Sequence, residues 1–500
     1  MLHICNMQNL IDILSSNCHI QDSKFVSLKN IVLINQRSFI VNIQLRRVVM
    51  AALTGSALLG FGSNAMADST FDLIQALVDK GVLTEEEAMP LMKSRANDEK
   101  AAQKKEKSFA RVDAGSKGLV VKSGDGRSEI AIGGRLHVEA MSHRNDEKLT
   151  KGATDGTDIR RSRIYVKGKV DQDWKYIIEA DLAGNNVSMK DVFGEYVGIE
   201  GWDFTFGNQK HAMSMEVQES SNDIMFTERG LTYALTTPYF DRAIGLNAKV
   251  EGDTWNVQGG IYGDHYAPED SGNVDEGHGY AIRGTWNPIW DKEAGHMLHL
   301  GANYGSRSVS NQTNKISGAG KGDFSYETTN GSNLKLLDTP DIAGLEEVKV
   351  GVLEFAAMYG PLSFQSEYVK AKAEGTNDYD FGAWYANVGY TLTGEHREYK
   401  PADGEFKRLK PKSDFSLKNG TWGAWEVAAR MDSLNLNDNG ILGGDGDRYT
   451  VALNWYLNYN FRIMADYSKI YDIDNGPVKH ANGDEADDID TFTLRAQWAF

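Results

Sequence analysis

The sequence predicts an all-β fold: a sixteen-stranded antiparallel transmembrane β-barrel with a short helical N-terminal extension. Three observations carry that reading. They are an export leader, sixteen segments in which apolar and polar residues alternate, and a terminal strand that stops on Phe500. Composition narrows the field further. Of 500 residues, Lys+Arg 53 stand against Asp+Glu 70, a net charge of −17, which disfavours nucleic acid as a partner because a polyanion needs a basic face. The longest apolar run, 48–61, is too short to cross a bilayer as a helix, so any membrane crossing falls to strands.

The N-terminus is read as a leader. Arg46-Arg47, the apolar stretch that follows and Ala65-Met66-Ala67 form the charged, apolar and small-residue parts of a secretory signal, with cleavage expected after Ala67. Residues 1 to about 44 then lie upstream of a complete signal, as they would if the start codon were assigned too early. Domain 1–67 is therefore left out of the fold. Both cysteines, Cys5 and Cys18, fall in it, which leaves no cysteine for a disulfide or a thiolate metal site in the mature chain.

Residues 68–110 are expected to form a helical or coiled-coil periplasmic extension. From Phe71 to Met92, apolar residues recur at three- and four-residue steps with a break near Gly81, and Ala96 to Lys107 is charged and Ala-rich, read as a polar linker. A solvated tail is the alternative to an association element.

The period then changes to two, and residues 128–500 are assigned to the barrel. Ile164, Val166, Gly168 and Val170 alternate with Arg163, Tyr165, Lys167 and Lys169, and Trp384, Ala386, Val388 and Tyr390 lie on one face of a later segment. One face is apolar and the other polar, as a strand between lipid and water requires. Sixteen such segments begin near residues 128, 159, 173, 190, 201, 243, 253, 278, 296, 346, 361, 379, 422, 446, 459 and 490.

Connections should alternate between short periplasmic turns and longer external loops. Short turns follow strands 2, 4, 6, 10 and 14, and longer Gly-, Asn- and Asp-rich connections are expected after strands 1, 5, 7, 9, 13 and 15. The turn Thr393 to Thr421 breaks the rule. It carries Lys407, Arg408, Lys410 and Lys412, and either folds back into the barrel or hangs disordered in the periplasm. At the other end Phe492, Leu494, Ala496, Trp498 and Phe500 share one face. A terminal amphipathic strand closed by an aromatic looks like the signal read by the barrel-assembly machinery.

Residues 382–395, Gly382-Ala-Trp-Tyr-Ala-Asn-Val-Gly-Tyr-Thr-Leu-Thr-Gly-Glu395, with Gly423-Ala-Trp-Glu-Val-Ala-Ala-Arg430, resemble the phosphate-selective porin O and P family. Arg160-Arg161-Ser162-Arg163, Glu228-Arg229-Gly230-Leu231 and Asn454-Trp-Tyr-Leu-Asn458 also resemble its motifs, over roughly residues 128 to 500. The resemblance implies a homotrimeric porin in outer-membrane lipid, passive diffusion of small anions such as phosphate or polyphosphate, and loops plus an enlarged turn folded into the lumen.

If apolar positions face lipid, the opposite parity lines the channel. Candidate anion-contacting residues are Arg135, Arg161, Arg163, Lys167, Lys169, Arg283, Arg307 and Arg430 on strands. The connection Gln209 to Arg242, expected to form the constriction, adds Lys210 and Arg229, and the basic turn adds Lys407, Arg408, Lys410 and Lys412. A guanidinium can replace part of the hydration an oxyanion loses in a narrow pore. Glu129, Glu139, Glu179, Asp181, Glu367, Glu426 and Asp466 share the inward parity, however, so a general or cation-preferring porin is an open alternative, as is a surface β-rich binding protein without a pore. No cofactor is expected. No Gly-x-Ser-x-Gly elbow, P-loop or zinc spacing is present, His296 and His299 fall on opposite faces, and Gly443 to Asp447 reads as a solvated turn rather than a Ca²⁺ loop.

Overall fold

The computed structural model describes residues 65–500 except 107–108, 117, 145–148, 150–152, 186, 264–276, 310–322, 328–333 and 481. The signal sequence expected upstream of Ala67 lies almost wholly outside the described residues. The chain divides into compact units at residues 100 and 101.

The N-terminal unit is built on helices α1 (Ala65–Asp79) and α2 (Glu85–Glu106). Gly81 adopts φ +68, the left-handed conformation that ends a helix cheaply. Thr84 and Glu87 then cap α2 reciprocally: the Glu87 amide donates to Thr84 Oγ1 at 3.3 Å and the Thr84 amide to Glu87 Oε2 at 3.1 Å. The segment 96–107 differs from the polar linker expected, because α2 continues through it to Glu106. Its Ala, Lys, Gln and Glu residues are good helix formers and need no apolar face to propagate the turn before them.

The second unit holds sixteen antiparallel barrel strands: β1 Glu129–Arg144, β2 Gly156–Val170, β3 Trp174–Asp181, β4 Ser188–Ile199, β5 Trp202–Lys210, β6 Arg242–Glu251, β7 Trp255–Tyr262 and β8 Gly279–Asp291. They continue as β9 His296–Ser308, β10 Leu345–Tyr359, β11 Leu362–Gly375, β12 Tyr379–Thr391, β13 Ala424–Asp438, β14 Ile441–Tyr456, β15 Phe461–Asp474 and β16 Ile489–Ala499. Each pairs with its neighbours in sequence, and β16 pairs with β1 from Asp490↔Arg144 to Ala499↔Arg135, closing the barrel. Closure leaves no strand edge to be satisfied by lipid, which can supply no hydrogen bonds.

The alternation fixes which face meets lipid. Leu246, Ile261, Leu353, Met431 and Val451 are exposed on the outer wall, and their sequence neighbours turn inward. An Arg in place of Leu353 would cost about 2–4 kcal/mol near the bilayer midplane. At the short-turn rim the outward residues are aromatic: Trp174, Trp202, Trp255, Tyr359 and Tyr390 are exposed, Trp425 stacks on Trp455 and Phe461 on Trp498. Rings with a polar edge are stable at the lipid–water boundary.

At the seam, Phe500 exchanges backbone hydrogen bonds with Gly134 (2.9 and 3.0 Å), and its carbonyl accepts from Tyr165 Oη at 3.1 Å. A Cβ on Gly133 would collide with Tyr165 Oη and the Phe500 carbonyl. Beyond the end of β16, the strand 118–122, part of a hairpin with 111–115, pairs with residues 129–132 of β1. The last strand and this hairpin thus share one edge of β1 end to end.

One connection differs from expectation. The chain between β13 and β14 is a two-residue turn, Asn439 (φ 48) and Gly440 (φ 90), and Gly443 to Asp447 belong to strand β14. Asn-Gly is the pair that a type I′ hairpin requires. The glycines beside it are buried rather than solvated, with Leu436 and Thr339 close against Gly443 and Leu337 close against Gly444. The turn at 392–423 does fold inward: Tyr399, Phe406 and Leu409 are buried inside the barrel.

Candidate functional site

Two segments occupy the lumen. The first, between β5 and β6, carries helices α3 (Met215–Gln218) and α4 (Tyr233–Phe240). Carboxylates on the β11–β15 wall accept hydrogen bonds from its backbone. Glu367 takes the amides of Met215 and Glu216 (2.8 and 3.1 Å) and the Ser214 hydroxyl (3.1 Å). Asp466 takes the Thr227 amide (2.6 Å) and Asp432 that of Leu231 (2.9 Å). Apolar residues Met213, Leu235 and Phe240 pack in one cluster with inward Val348, Val350 and Phe381, so the inner face there is dry rather than uniformly polar.

The second segment is the long turn between β12 and β13. Arg283 donates to both oxygens of Glu354 (2.8 Å each) and to the carbonyls of Asp403 (3.0 Å) and Gly404 (2.7 Å). Tyr399 Oη lies 2.6 Å from His299 Nδ1 and accepts from Asn287 at 3.1 Å, and Asn256 donates to the Pro401 carbonyl at 2.9 Å. Asp403 sits among Lys400, Lys407 and Lys249. Burial pushes its carboxyl up, but those ammoniums outweigh it and hold the group at about 2.

Against the β1–β6 wall lies a cavity of about 260 Å³. Eight cations line it: Arg135, Arg160, Arg161, Arg163, Lys190, Lys210, Arg229 and Arg242. They face three carboxylates, Asp181, Asp191 and Asp241. Several of the bases are paired. Arg135 and Arg163 share Glu179, each at 2.9 Å, Arg163 also holds Asp181 (2.7 Å), Arg242 holds Asp191 (2.8 Å), and Arg160 holds Glu228 (2.7 Å). Burial raises the Glu228 carboxyl, yet Arg160 and Arg161 overcome it and hold the group well below the usual range. Burial likewise opposes, and Arg242, Lys210 and Lys190 outweigh it, at Asp241.

Four cations are different. Lys210 donates to the carbonyls of Gln218 (2.8 Å) and Glu219 (3.4 Å), and Arg229 to those of Glu216 (2.9 Å) and Glu219 (2.7 Å), and neither has a carboxylate in ion-pair reach among the described residues. Lys190 likewise has no carboxylate in ion-pair reach among the described residues. Arg161 is buried with no hydrogen-bond partner among them, and its Nη1 is an unsatisfied donor. A buried guanidinium without an acceptor is costly unless something else supplies one.

Five of the fourteen expected residues thus meet here: Arg135, Arg161, Arg163, Lys210 and Arg229. Arg283, Arg307 and Arg430 point inward but fasten the inserted segments. Arg430 pairs with Glu216 (2.9 Å), and Arg307 donates to the Gly263 carbonyl (2.7 Å) and lies against His211, whose ring burial and Arg307 depress to about 3. Lys407 pairs with Asp403 and Glu405. Lys410 and Lys412 are exposed, Lys412 Nζ donating to the Gly394 carbonyl, and Lys169 lines neither this cavity nor those below.

Simple parity misses Arg160, Lys190 and Arg242. The reason for the first two is a β-bulge. His137 pairs with Arg161 and Val138 with Ile159, so Arg160 is an extra residue that also turns inward. Ile178 pairs with Val192 and Ala180 with Met189, so Lys190 and Asp191 face the lumen together.

Two further spaces lie nearer the short-turn rim. One, of about 480 Å³, shares Arg135 and Ser220 with the cavity and is lined by Lys167, Arg408, Tyr165, Tyr459 and Phe500. The other, of about 290 Å³, shares Lys210 and Asp191 with it and is lined by Glu195, Asp203, Lys249, Asp403 and Glu405.

A family model described as phosphate-selective porin O and P matches residues 130–500. Porin O of Pseudomonas aeruginosa is 28% identical over 417 residues, covering 77% of this chain and 91% of its own length. An uncharacterized protein of Caulobacter vibrioides is 30% identical over 369 residues, 70% of each chain. Among solved structures, an anion-selective porin from Comamonas acidovorans superposes with a TM-score of 0.47 at 10% identity, covering 75% of this chain and 100% of that one.

Proposed function

The chain belongs to the phosphate-selective porin O and P family, and from that premise we propose that this outer-membrane porin conducts small oxyanions, phosphate foremost, down their gradient. The observation that carries the proposal is the cavity on the β1–β6 wall, where Arg161, Lys190, Lys210 and Arg229 have no carboxylate in ion-pair reach among the described residues. An oxyanion there receives several charge-assisted hydrogen bonds in exchange for lost water, and accepts from the Arg161 donor that the protein leaves empty. Exchange between several moderate sites lets the ion leave as well as enter. No cofactor takes part, and the solute's own gradient drives the flow.

The rest of the chain fits an exported barrel. We take residues 1–67 as upstream text plus signal peptide, 68–110 as a periplasmic helical extension, and the whole as a homotrimer delivered by the barrel-assembly machinery through the strand ending in Phe500. A general or cation-preferring porin is favoured by one specific observation, the acidic space beside the cavity where Asp191, Glu195, Asp203, Asp403 and Glu405 face Lys210 and Lys249.

The reversal potential of the purified protein in a planar bilayer under a KCl gradient separates the two. Anion sign, with chloride current reduced as phosphate is added, is the expected result. A potential of cation sign would overturn the proposal and leave the barrel standing as a porin of the other selectivity.

A further inference from the structure

Two spaces adjoin the basic cavity, each sharing lining residues with it, and their linings carry opposite charge. The space beneath β1 and β2 presents Arg135, Lys167 and Arg408 against Glu129. The space beneath β4 to β7 presents five carboxylates against Lys210 and Lys249. No lining residue is common to the two. Between them stand residues 218–223 and the inserted turn, joined where Arg408 reaches Asp223 at 3.4 Å.

Two of the five carboxylates, Asp403 and Glu405, come from the tip of that turn. Asp403 also lies 3.7 Å from Lys249 on the lining, but its nearer partners Lys400 and Lys407 are not on the lining, so a solute in this space meets five carboxylates against two lysines. The tip is held by its backbone: Arg283 grips the Asp403 and Gly404 carbonyls, and Asn256 the Pro401 carbonyl. The turn is thus held mainly through its backbone, to which Asp403 adds one longer ion pair with Lys249 of β6 at 3.7 Å.

We propose that the lumen forks and that the inserted turn selects the branch: Asp403 and Glu405 bar anions from the β4–β7 branch, so that anions leave past Arg135, Lys167 and Arg408. This rests on the anion-conducting reading above and adds to it a route and the residues that set it. Low-dielectric walls focus the field of such charges, which makes a few carboxylates in a narrow branch an effective barrier to an oxyanion.

Bilayer recordings of the full-length protein test this with two variants and their combination. Lys167→Gln narrows the anion branch electrostatically and lowers chloride conductance. Asp403→Asn with Glu405→Gln leaves the backbone anchors intact and opens the second branch, raising chloride conductance by up to about two-fold, the limit for two parallel exits of similar bore. In the triple variant the second branch carries the current and offsets the Lys167→Gln loss. The proposal is overturned if the double variant gains no chloride conductance and rescues nothing, or if Lys167→Gln conducts like the unaltered protein. The reversal potential of the unaltered protein keeps the two levels apart. Cation sign there removes the anion reading itself, whereas anion sign with unresponsive variants removes only the fork.

Discussion

Arg283→Met is expected to release the inserted turn from the lumen. In the intact protein the guanidinium is fully buried, satisfies both oxygens of Glu354 and caps two carbonyls of the turn. Breaking a buried ion pair by removing one member costs about 3–5 kcal/mol. Glu354 retains His299 Nε2 at 3.0 Å and Asn303 Nδ2 at 2.6 Å, which places the barrel's own loss at the low end. The turn loses two charge-assisted hydrogen bonds, of order 1.5 kcal/mol each, about 3 kcal/mol together, or roughly a hundred-fold in the ratio of released to docked turn. Release is partial, because Tyr399 and Pro401 keep their partners.

Limited trypsin digestion in detergent reads this directly, since Lys407 and Arg408 become cleavable while closed barrel strands do not. Single-channel conductance should rise in parallel as the turn clears the lumen. Adding Glu354→Leu removes the stranded carboxylate and restores barrel stability without restoring protection, because the Asp403 and Gly404 carbonyls still lack their donor. Cleavage at Lys407 and Arg408 and conductance both unchanged in Arg283→Met would refute the assignment of Arg283 as the clasp.

Three further outcomes are expected. Arg161→Gln should weaken phosphate block of the chloride current by about ten-fold, the loss of one charge-assisted contact of roughly 1.4 kcal/mol, while heat-modifiable migration on gels stays normal. Glu219 lies in the loop after β5, where burial first, with Glu405, Glu216 and Asp223 adding and Arg397 opposing, pushes its carboxyl up to about 8 from 4.5. The folded loop therefore holds a proton that the released loop gives up, so packing of the loop against the turn weakens as pH rises from 4.5 to about 8 and is flat above, a slope that protease protection should follow and Glu219→Gln should abolish. Gly133→Val places atoms where Tyr165 Oη and the Phe500 carbonyl sit, and should lower the yield of heat-modifiable barrel in refolding assays.

The strands were legible because lipid enforces one rule along their whole outer face, and Leu353, Val388 and Leu453 obey it regardless of what lies inside. The inner face has no such uniformity. Val348 and Val350 point inward yet pack against the inserted loop, and Arg160 and Lys190 reach the cavity only because a bulge adds a residue to one strand and not its partner. A bulge leaves the composition of a segment unchanged, so counting by twos passes over it. The hairpin at Asn439-Gly440 did carry a local signal, but the glycines after it read as loop, whereas they are small because Leu436, Thr339 and Leu337 pack where a Cβ on Gly443 or Gly444 would stand.

The mixture of charges on the inner wall, which in sequence argues equally for either selectivity, is sorted in space by the inserted loop. Glu367, Asp432 and Asp466 on one wall are acceptors for backbone amides of residues 215–231, and a carboxylate engaged with several N–H groups against a dry loop presents little field to a passing ion. The loop's own carbonyls at Gln218 and Glu219 turn the other way, toward Lys210 and Arg229 on the open side. A carbonyl positions a cation without cancelling its charge, whereas a carboxylate cancels it. Anchoring the loop by acids and bracing the cations by carbonyls therefore leaves a positive passage in a chain whose net charge is −17. The sign of the pore follows from which charges are consumed in holding the loop.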